Sequence, residues 1–296
     1  MTANSGGGDC TSDGERRITA QVLASFAAAP DPRLRQLLEK LVEHLHAFAR
    51  EVELSEEEWF AGIRFLTETG QICDGLVRQE FILLSDVLGL SMLVDALDHR
   101  RSVGATESTV FGPFYIAGMP QRGYGENMAL TAGVPALVTG RVLDTEGQPI
   151  ADACLDVWQS AQNGCYSGQD KAQPHGNLRG CYRTDGEGRY AIRSIVPTSY
   201  PIPSDGPVGR LLEASGRHPW RPAHLHFMIE ARGHQSLVTH LFKHDDPYMT
   251  SDAVFGVKDS LRVEYQECPA EHPLARKFGI DTAFRLVRYD FVLEPT

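Results

Sequence analysis

A chain of 296 residues with 42% hydrophobic and 23% charged residues has the composition of an ordinary soluble globular protein of one large or two ordinary domains. Its formal net charge of -11 opposes non-specific binding to nucleic acid or to an anionic membrane, and no apolar run reaches the length of a bilayer span. Six cysteines without a CxxC pair read as reduced thiols, and the opening MTANSGGGDCTSDGERR lacks an apolar signal core, so the expected compartment is the cytoplasm.

Residues 1 to about 30 open small, polar and Gly/Ser-rich, and are expected to form a mobile tail. A helical rhythm begins at Leu34, with Leu37, Leu38, Leu41, Leu45, Phe48, Ala49 and Val52 on one stripe. Ser55 and Glu58 suit a capping box before Trp59, Phe60, Ile63 and Leu66, with Gly70 as a stop signal. Residues 81–101 read as a third helix whose apolar side chains nearly encircle the axis, which suits a buried helix or a subunit contact. The Gly-Pro pair in FGPFY ends this helical half.

From about Ala136 the period changes to two. ALVTGRVLD, CLDVWQ, GRYAIRSI and HLHFMIEARG alternate between turns such as TEGQ and DGEG. The expected class is therefore α+β: a helical domain over residues 31–105, then a mostly antiparallel β-sandwich over residues 106–296. No internal repeat is visible.

The segment RPAHLHF carries the clearest chemical signal. On a strand, His224 and His226 project from the same face, and two imidazoles so placed can converge on one ion, whether zinc, copper or iron. Tyr166 follows the strand CLDVWQ, and Tyr200 follows GRYAIRSI. Both sit beside glycine or proline turns, where side chains either reach into a site or simply pack. His240, in VTHLF, adds a third imidazole, which keeps open a zinc hydrolase or hydratase built on His224, His226 and His240. A β-sandwich binding module without catalysis is a further alternative.

The run GRVLDTEGQPIADACLDVWQSAQNGCYSGQD, followed in order by RYAIRSIVPTSYPIP and RPAHLHF, resembles the signature stretch of the intradiol ring-cleavage dioxygenases. RQEFILLSDVLGLSMLVDAL and ATESTVFGPFYIAG extend the resemblance over nearly all of the chain beyond the tail. It implies that Tyr166, Tyr200, His224 and His226 hold ferric iron, and that the enzyme opens an ortho-dihydroxylated aromatic ring with O2. Hard phenolates favour ferric over ferrous iron, and two of them with one hydroxide balance its charge. The resemblance also makes Tyr200 a base that leaves the metal, and makes Arg221 the cation that stabilises negative charge on the ring.

VFGPFY at residues 110–115, THLF around His240 and SDAVFGVKDSL at residues 251–261 resemble the hydroxyquinol branch of that family. That branch converts 1,2,4-trihydroxybenzene to maleylacetate by way of its precursor 3-hydroxy-cis,cis-muconate, with catechol or a substituted catechol as the alternative substrate. The resemblance implies that Asp86 meets the extra hydroxyl beside Leu83 and that Val110, Phe111, Gly112, Pro113 and Phe114 wall the pocket. His240 departs from the glutamine of the catechol pattern and is expected to serve catalysis from behind the metal ligands, either donating a hydrogen bond to the substrate or packing there. It further implies a homodimer joined through the N-terminal helices, which enclose a phospholipid-sized tunnel.

Overall fold

The computed structural model describes residues 10–74, 78–100 and 102–296, and these divide into two compact units between Thr67 and Glu68. In the first, α1 (Cys10–Ser25) and α2 (Pro32–Glu51) pack together, with Thr19 Oγ1 2.9 Å from His46 Nδ1. The tail expected over residues 1 to about 30 therefore contains a helix. Beyond Gly14 the segment carries Ala20, Gln21, Leu23 and Ala24, and their helix propensity, with docking on α2, outweighs the Gly/Ser content ahead of it.

Asp31 caps α2 by accepting from the Arg33 and Leu34 amides, and Pro32 occupies the first turn. The expected capping box opens α3 (Glu56–Gln71): the Ser55 amide donates to Glu58 at 3.0 Å, and the Glu58 amide donates back to the Ser55 hydroxyl at 3.3 Å. The stripe on α2 is built as read, but it faces solvent: Leu34, Leu37, Leu41, Leu45, Phe48 and Val52 are each about half exposed.

The expected helix over residues 81–101 is instead two helices, α4 (Glu80–Val87) and α5 (Leu90–Asp98), broken at Gly89. Gly89 adopts φ +75, a left-handed conformation that only glycine enters without cost, and a Cβ there would touch the Phe255 ring at 3.4 Å. Helix α4 turns Glu80, Leu83, Asp86 and Val87 inward and leaves Phe81 and Ile82 exposed. Glu80, fully buried, accepts from the Val208 amide at 3.1 Å and pairs with Arg78 at 2.7 Å, tying α4 to helix α6 (Pro207–Ala214).

The strands are β1 (Pro135–Asp144), β2 (Cys154–Trp158), β3 (Arg179–Arg183), β4 (Arg189–Ile195), β5 (Tyr200–Pro201), β6 (Trp220–Arg221), β7 (His224–Glu230), β8 (Leu237–Lys243), β9 (Arg262–Val263), β10 (Gln266–Cys268), β11 (Phe284–Arg288) and β12 (Phe291–Leu293), with α7 (Pro273–Phe278) between β10 and β11. One sheet runs β10-β11-β1-β12 with β4 on β1, the other runs β3-β2-β7-β8-β9, and β5 pairs with β6. The sheets are mixed: β1 runs parallel to both β11 and β12, and β8 parallel to β9, while the remaining pairs are antiparallel. Val138, Val142, Tyr190, Ile192, Val287 and Phe291 of the first sheet meet Leu155, Val157, Leu225, Phe227, Ile229 and Leu241 of the second in one buried core. Alternation then sends Trp158, His224, His226 and His240 to the opposite face of the second sheet.

Candidate metal centre

On that outer face the strand register does most of the positioning. His226 pairs with Trp158 of β2 on one side and with His240 of β8 on the other. Trp158 stacks on the His226 ring at 4.7 Å and 13°, and His240 stacks on His224 at 4.7 Å and 22°. Tyr200 and Arg221 face each other across the two-residue β5–β6 pair. Tyr166 arrives from the loop after β2, its ring stacked under Phe114 at 4.7 Å. Gly112, with φ +75, lets the residue 110–115 segment lie against the site, because a Cβ there would sit 3.2 Å from His226 Cε1.

Four polar atoms converge in this buried space. Tyr166 Oη lies 3.0 Å from His226 Nε2, Tyr200 Oη 3.5 Å from His224 Nε2, and the two Nε2 atoms are 3.1 Å apart. His224 Nδ1 approaches the Pro222 carbonyl at 2.6 Å, so it carries the proton and Nε2 presents a lone pair to the cluster. Lone pairs facing one another in a buried site repel unless a cation lies among them, and this donor set fits one. Two phenols with two imidazoles suit a hard, highly charged ion better than zinc, because each phenol can become an anionic oxygen ligand.

Burial governs the electrostatics. It pushes the Tyr166 phenol well above its usual value, with Tyr200 adding to the shift, so ionisation needs a strong countercharge. Burial, reinforced by Arg221, lowers His224 to about 3, and burial with the neighbouring histidine lowers His226 and His240 well below 6.5. All three rings are therefore neutral at working pH, as metal ligation requires. Neither ring nitrogen of His240 has a hydrogen-bond partner of good geometry among the described residues. Arg221 is buried at 3% exposure, and its Nη1 reaches 3.5 Å from Tyr200 Oη and 3.4 Å from His224 Nε2.

Asp86 is also buried, and burial raises its carboxyl above the usual range against the opposing pull of Ser91 and Arg221. A cavity of about 410 Å³ has Asp86, Ser91, Asp95, Val110, Phe111 and Pro113 among its lining. A second of about 30 Å³ lies between Leu83, Asp86, Pro113, Phe114 and Pro203, and the two share Ile82, Asp86 and Pro113. Leu83 and Val110 sit in one buried cluster with Ile202 and Val254. Phe111, 41% exposed, turns toward Tyr115 and Trp158. An open cleft of about 430 Å³ beside Arg217, His218 and Phe255 includes none of Tyr166, Tyr200, His224 or His226 in its lining.

Sequence reasoning passed over Trp158, Arg179 and Asp252. Trp158 was detectable as the third outward position of CLDVWQ beside the histidine strand. Arg179 places its guanidinium 5.9 Å from the Tyr166 ring centre, with Nη1 unpaired. Burial lowers it to about 10, and its other hydrogen bonds go to Ser167. Nothing local in SDAVFGVKDSL marks Asp252 as a partner of Arg221, because that contact joins residues distant in sequence.

A β-sandwich that directs two phenols and two imidazoles into one buried cluster defines the class: the chain belongs to the intradiol ring-cleavage dioxygenase family. Residues 110–295 match the family model described as dioxygenase, and residues 31–106 the one described as catechol dioxygenase N terminus. The chain is 50% identical over 282 residues to a hydroxyquinol 1,2-dioxygenase of Rhizobium sp. (strain MTP-10005), covering 94% of this chain and 95% of that one. Its structure is similar to that of the hydroxyquinol 1,2-dioxygenase of Pseudomonas putida DLL-E4, with a TM-score of 0.93, 62% identity and coverage of 96% of this chain and 100% of that one. The catechol 1,2-dioxygenase of Pseudomonas arvilla C-1 is more distant at a TM-score of 0.81 and 32% identity, covering 97% of this chain and 93% of that one.

Proposed function

We propose that this protein is a ferric-iron intradiol dioxygenase that opens hydroxyquinol with O2 between its two ortho-hydroxylated carbons, yielding 3-hydroxy-cis,cis-muconate, the precursor of maleylacetate. The observation that carries the reading is the buried cluster in which Tyr166 Oη meets His226 Nε2 and Tyr200 Oη lies beside His224 Nε2. These four residues would hold Fe(III), whose chemistry when bound is to draw electron density from an ortho-diolate and so expose a ring carbon to O2. Held as a phenolate by such an ion, Tyr200 Oη would be the base that takes a proton from an arriving hydroxyl. Its place opposite Arg221 puts a permanent cation beside the phenol, where the ring's negative charge develops.

Asp86 is the group that meets the third hydroxyl. A buried carboxyl that binds a substrate hydroxyl discriminates against the analogue lacking it, because it is then left unpaired. Leu83, Val110, Pro113 and Phe114 exclude water around it, with Gly112 giving the segment its close approach to His226. His240 fills the space behind His224 and His226 and keeps both rings in place. It lies within 4.8 Å of both, as a three-histidine zinc site would require. Such a site, however, leaves the two tyrosine contacts without a role.

The exposed stripe Leu34, Leu37, Leu41, Leu45, Phe48 and Val52 supports a homodimer joined through the helical segment, with room for a bound phospholipid. No helix among the described residues is long and apolar enough to cross a membrane, and the proposed compartment is the cytoplasm.

Oxygen uptake by iron-loaded protein tests the substrate, with hydroxyquinol and catechol supplied separately and autoxidation subtracted. Fast uptake with hydroxyquinol and slow uptake with catechol is expected. The reverse preference would keep the chemistry and overturn the role of Asp86. No uptake with either substrate from metal-replete protein would favour the zinc alternative.

A further inference from the structure

Arg221 presents its guanidinium to the metal cluster by one edge only. On the other edge, Nε donates to Asp252 Oδ1 at 3.0 Å and Nη2 to Asp252 Oδ2 at 3.3 Å. This fork occupies two of the three guanidinium nitrogens and leaves Nη1 facing Tyr200 Oη and His224 Nε2. Asp252 is itself held by its own loop. The Gly256 amide donates to Oδ2 at 2.9 Å and the Val254 amide to Oδ1 at 3.3 Å. Gly256 cannot carry a side chain here, because a Cβ would lie 2.9 Å from Arg221 Nη2, 3.2 Å from Asp252 Oδ2 and 3.2 Å from Thr109 Oγ1. The Thr109 hydroxyl in turn anchors the Gly256 carbonyl at 3.1 Å. The 252–256 loop is thus folded around the ion pair, and both partners are almost wholly buried.

From this geometry we infer that Asp252 is a positioning residue for the oxygenation step: it aims Arg221 Nη1 at the substrate side of the cluster and offsets the cost of burying the guanidinium there. A rotated guanidinium would present a different donor to the ring, and displacement of about 1 Å in such a group can cost about a hundredfold in rate. With the pair intact, the pocket holds an oriented cationic donor whose burial is compensated. The side-chain hydrogen bonds of Asp252 among the described residues go to Arg221 and to its own loop, so its orienting effect on the site passes through Arg221. The inference rests on the dioxygenase reading of the site.

The test uses iron-loaded full-length protein and a double-mutant cycle with Arg221→Gln. Hydroxyquinol binding is followed without oxygen through the tyrosinate-to-iron colour, and O2 is then mixed in to time a single turnover. Asp252→Asn is expected to keep iron and to bind hydroxyquinol within about threefold of wild type, while the oxygen step slows about a hundredfold. Asp252→Glu, which retains the charge but shifts the fork, is expected to slow it about tenfold. Neither substitution should slow the Arg221→Gln protein further. If the Asn variant fails to hold iron, the Glu variant completes the same cycle. Losses that multiply across the cycle, or a wild-type rate in a folded Asp252 variant, would overturn the inference. Wild-type protein inert towards both diols would instead overturn the functional reading beneath it.

Discussion

At the residue scale, the chemistry depends on groups whose charge is set by burial. Replacing Asp86 by Asn keeps the shape but substitutes a weaker, neutral partner for a hydroxyl. We expect kcat/KM for hydroxyquinol to fall about 30-fold while that for catechol moves less than threefold, as steady-state oxygen uptake will read. The three buried histidines make a separate prediction for protein stripped of iron. Their folded-state pKa values are depressed, so from about 6.5 down towards the folded value, about 3 for His224, the unfolded chain binds protons that the native state refuses. Stability is therefore present above about 6.5 and is lost as pH falls through that window. Urea unfolding at several pH values should show this loss, and His240→Gln should lessen it. His224 and His226 were legible as a pair from two-residue spacing alone. The convergence of Tyr166 and Tyr200 on that pair was not, because it depends on how two separate turns fold back over the sheet.

At the element scale, alternation on β7 and β8 serves two purposes at once. Leu225, Phe227, Ile229, Leu237 and Leu241 build the sandwich core, while His224, His226 and His240 emerge together on the other face. A one-residue slip would bury the imidazoles in the core and expose its aliphatic residues, so the hydrophobic pattern also fixes the site. The 110–115 segment can close over the cluster only because Gly112 combines a left-handed backbone with an absent Cβ. Gly112→Ala should cost about 1–3 kcal/mol in thermal unfolding and lower the iron retained per chain, because the new methyl presses on His226. The break between α4 and α5 was missed for a related reason. A continuous apolar pattern conceals Gly89, whose left-handed backbone ends α4 with its amide donating to the Asp86 carbonyl, and where a Cβ would meet the Phe255 ring.

At the scale of the whole molecule, apolar surface remains where one chain has nothing to place on it. The α2 stripe repeats at helical spacing yet is about half exposed along its length. Leu37→Glu with Leu41→Glu is expected to convert a dimer to monomer in sedimentation velocity, with hydroxyquinol turnover per chain kept within about threefold. A variant that sediments as wild type would show that this stripe is not the contact. The mixed sheets belong to this scale too. The parallel placement of β11 and β12 beside β1 joins strands more than a hundred residues apart, a pairing that alternation cannot specify.

The sequence by itself determined the helical half and the β half, the capping box at Ser55 and Glu58, the histidine pair on one strand and, through resemblance, the dioxygenase class. These follow from local periodicity, side-chain chemistry and the order of motifs along the chain. Tertiary structure alone decided that residues 10–25 form a helix, that Gly89 divides α4 from α5, and that Trp158, Arg179 and Asp252 stand around the cluster. Each of these depends on contacts between segments distant in sequence, whose free energy outweighs or redirects what any local stretch prefers.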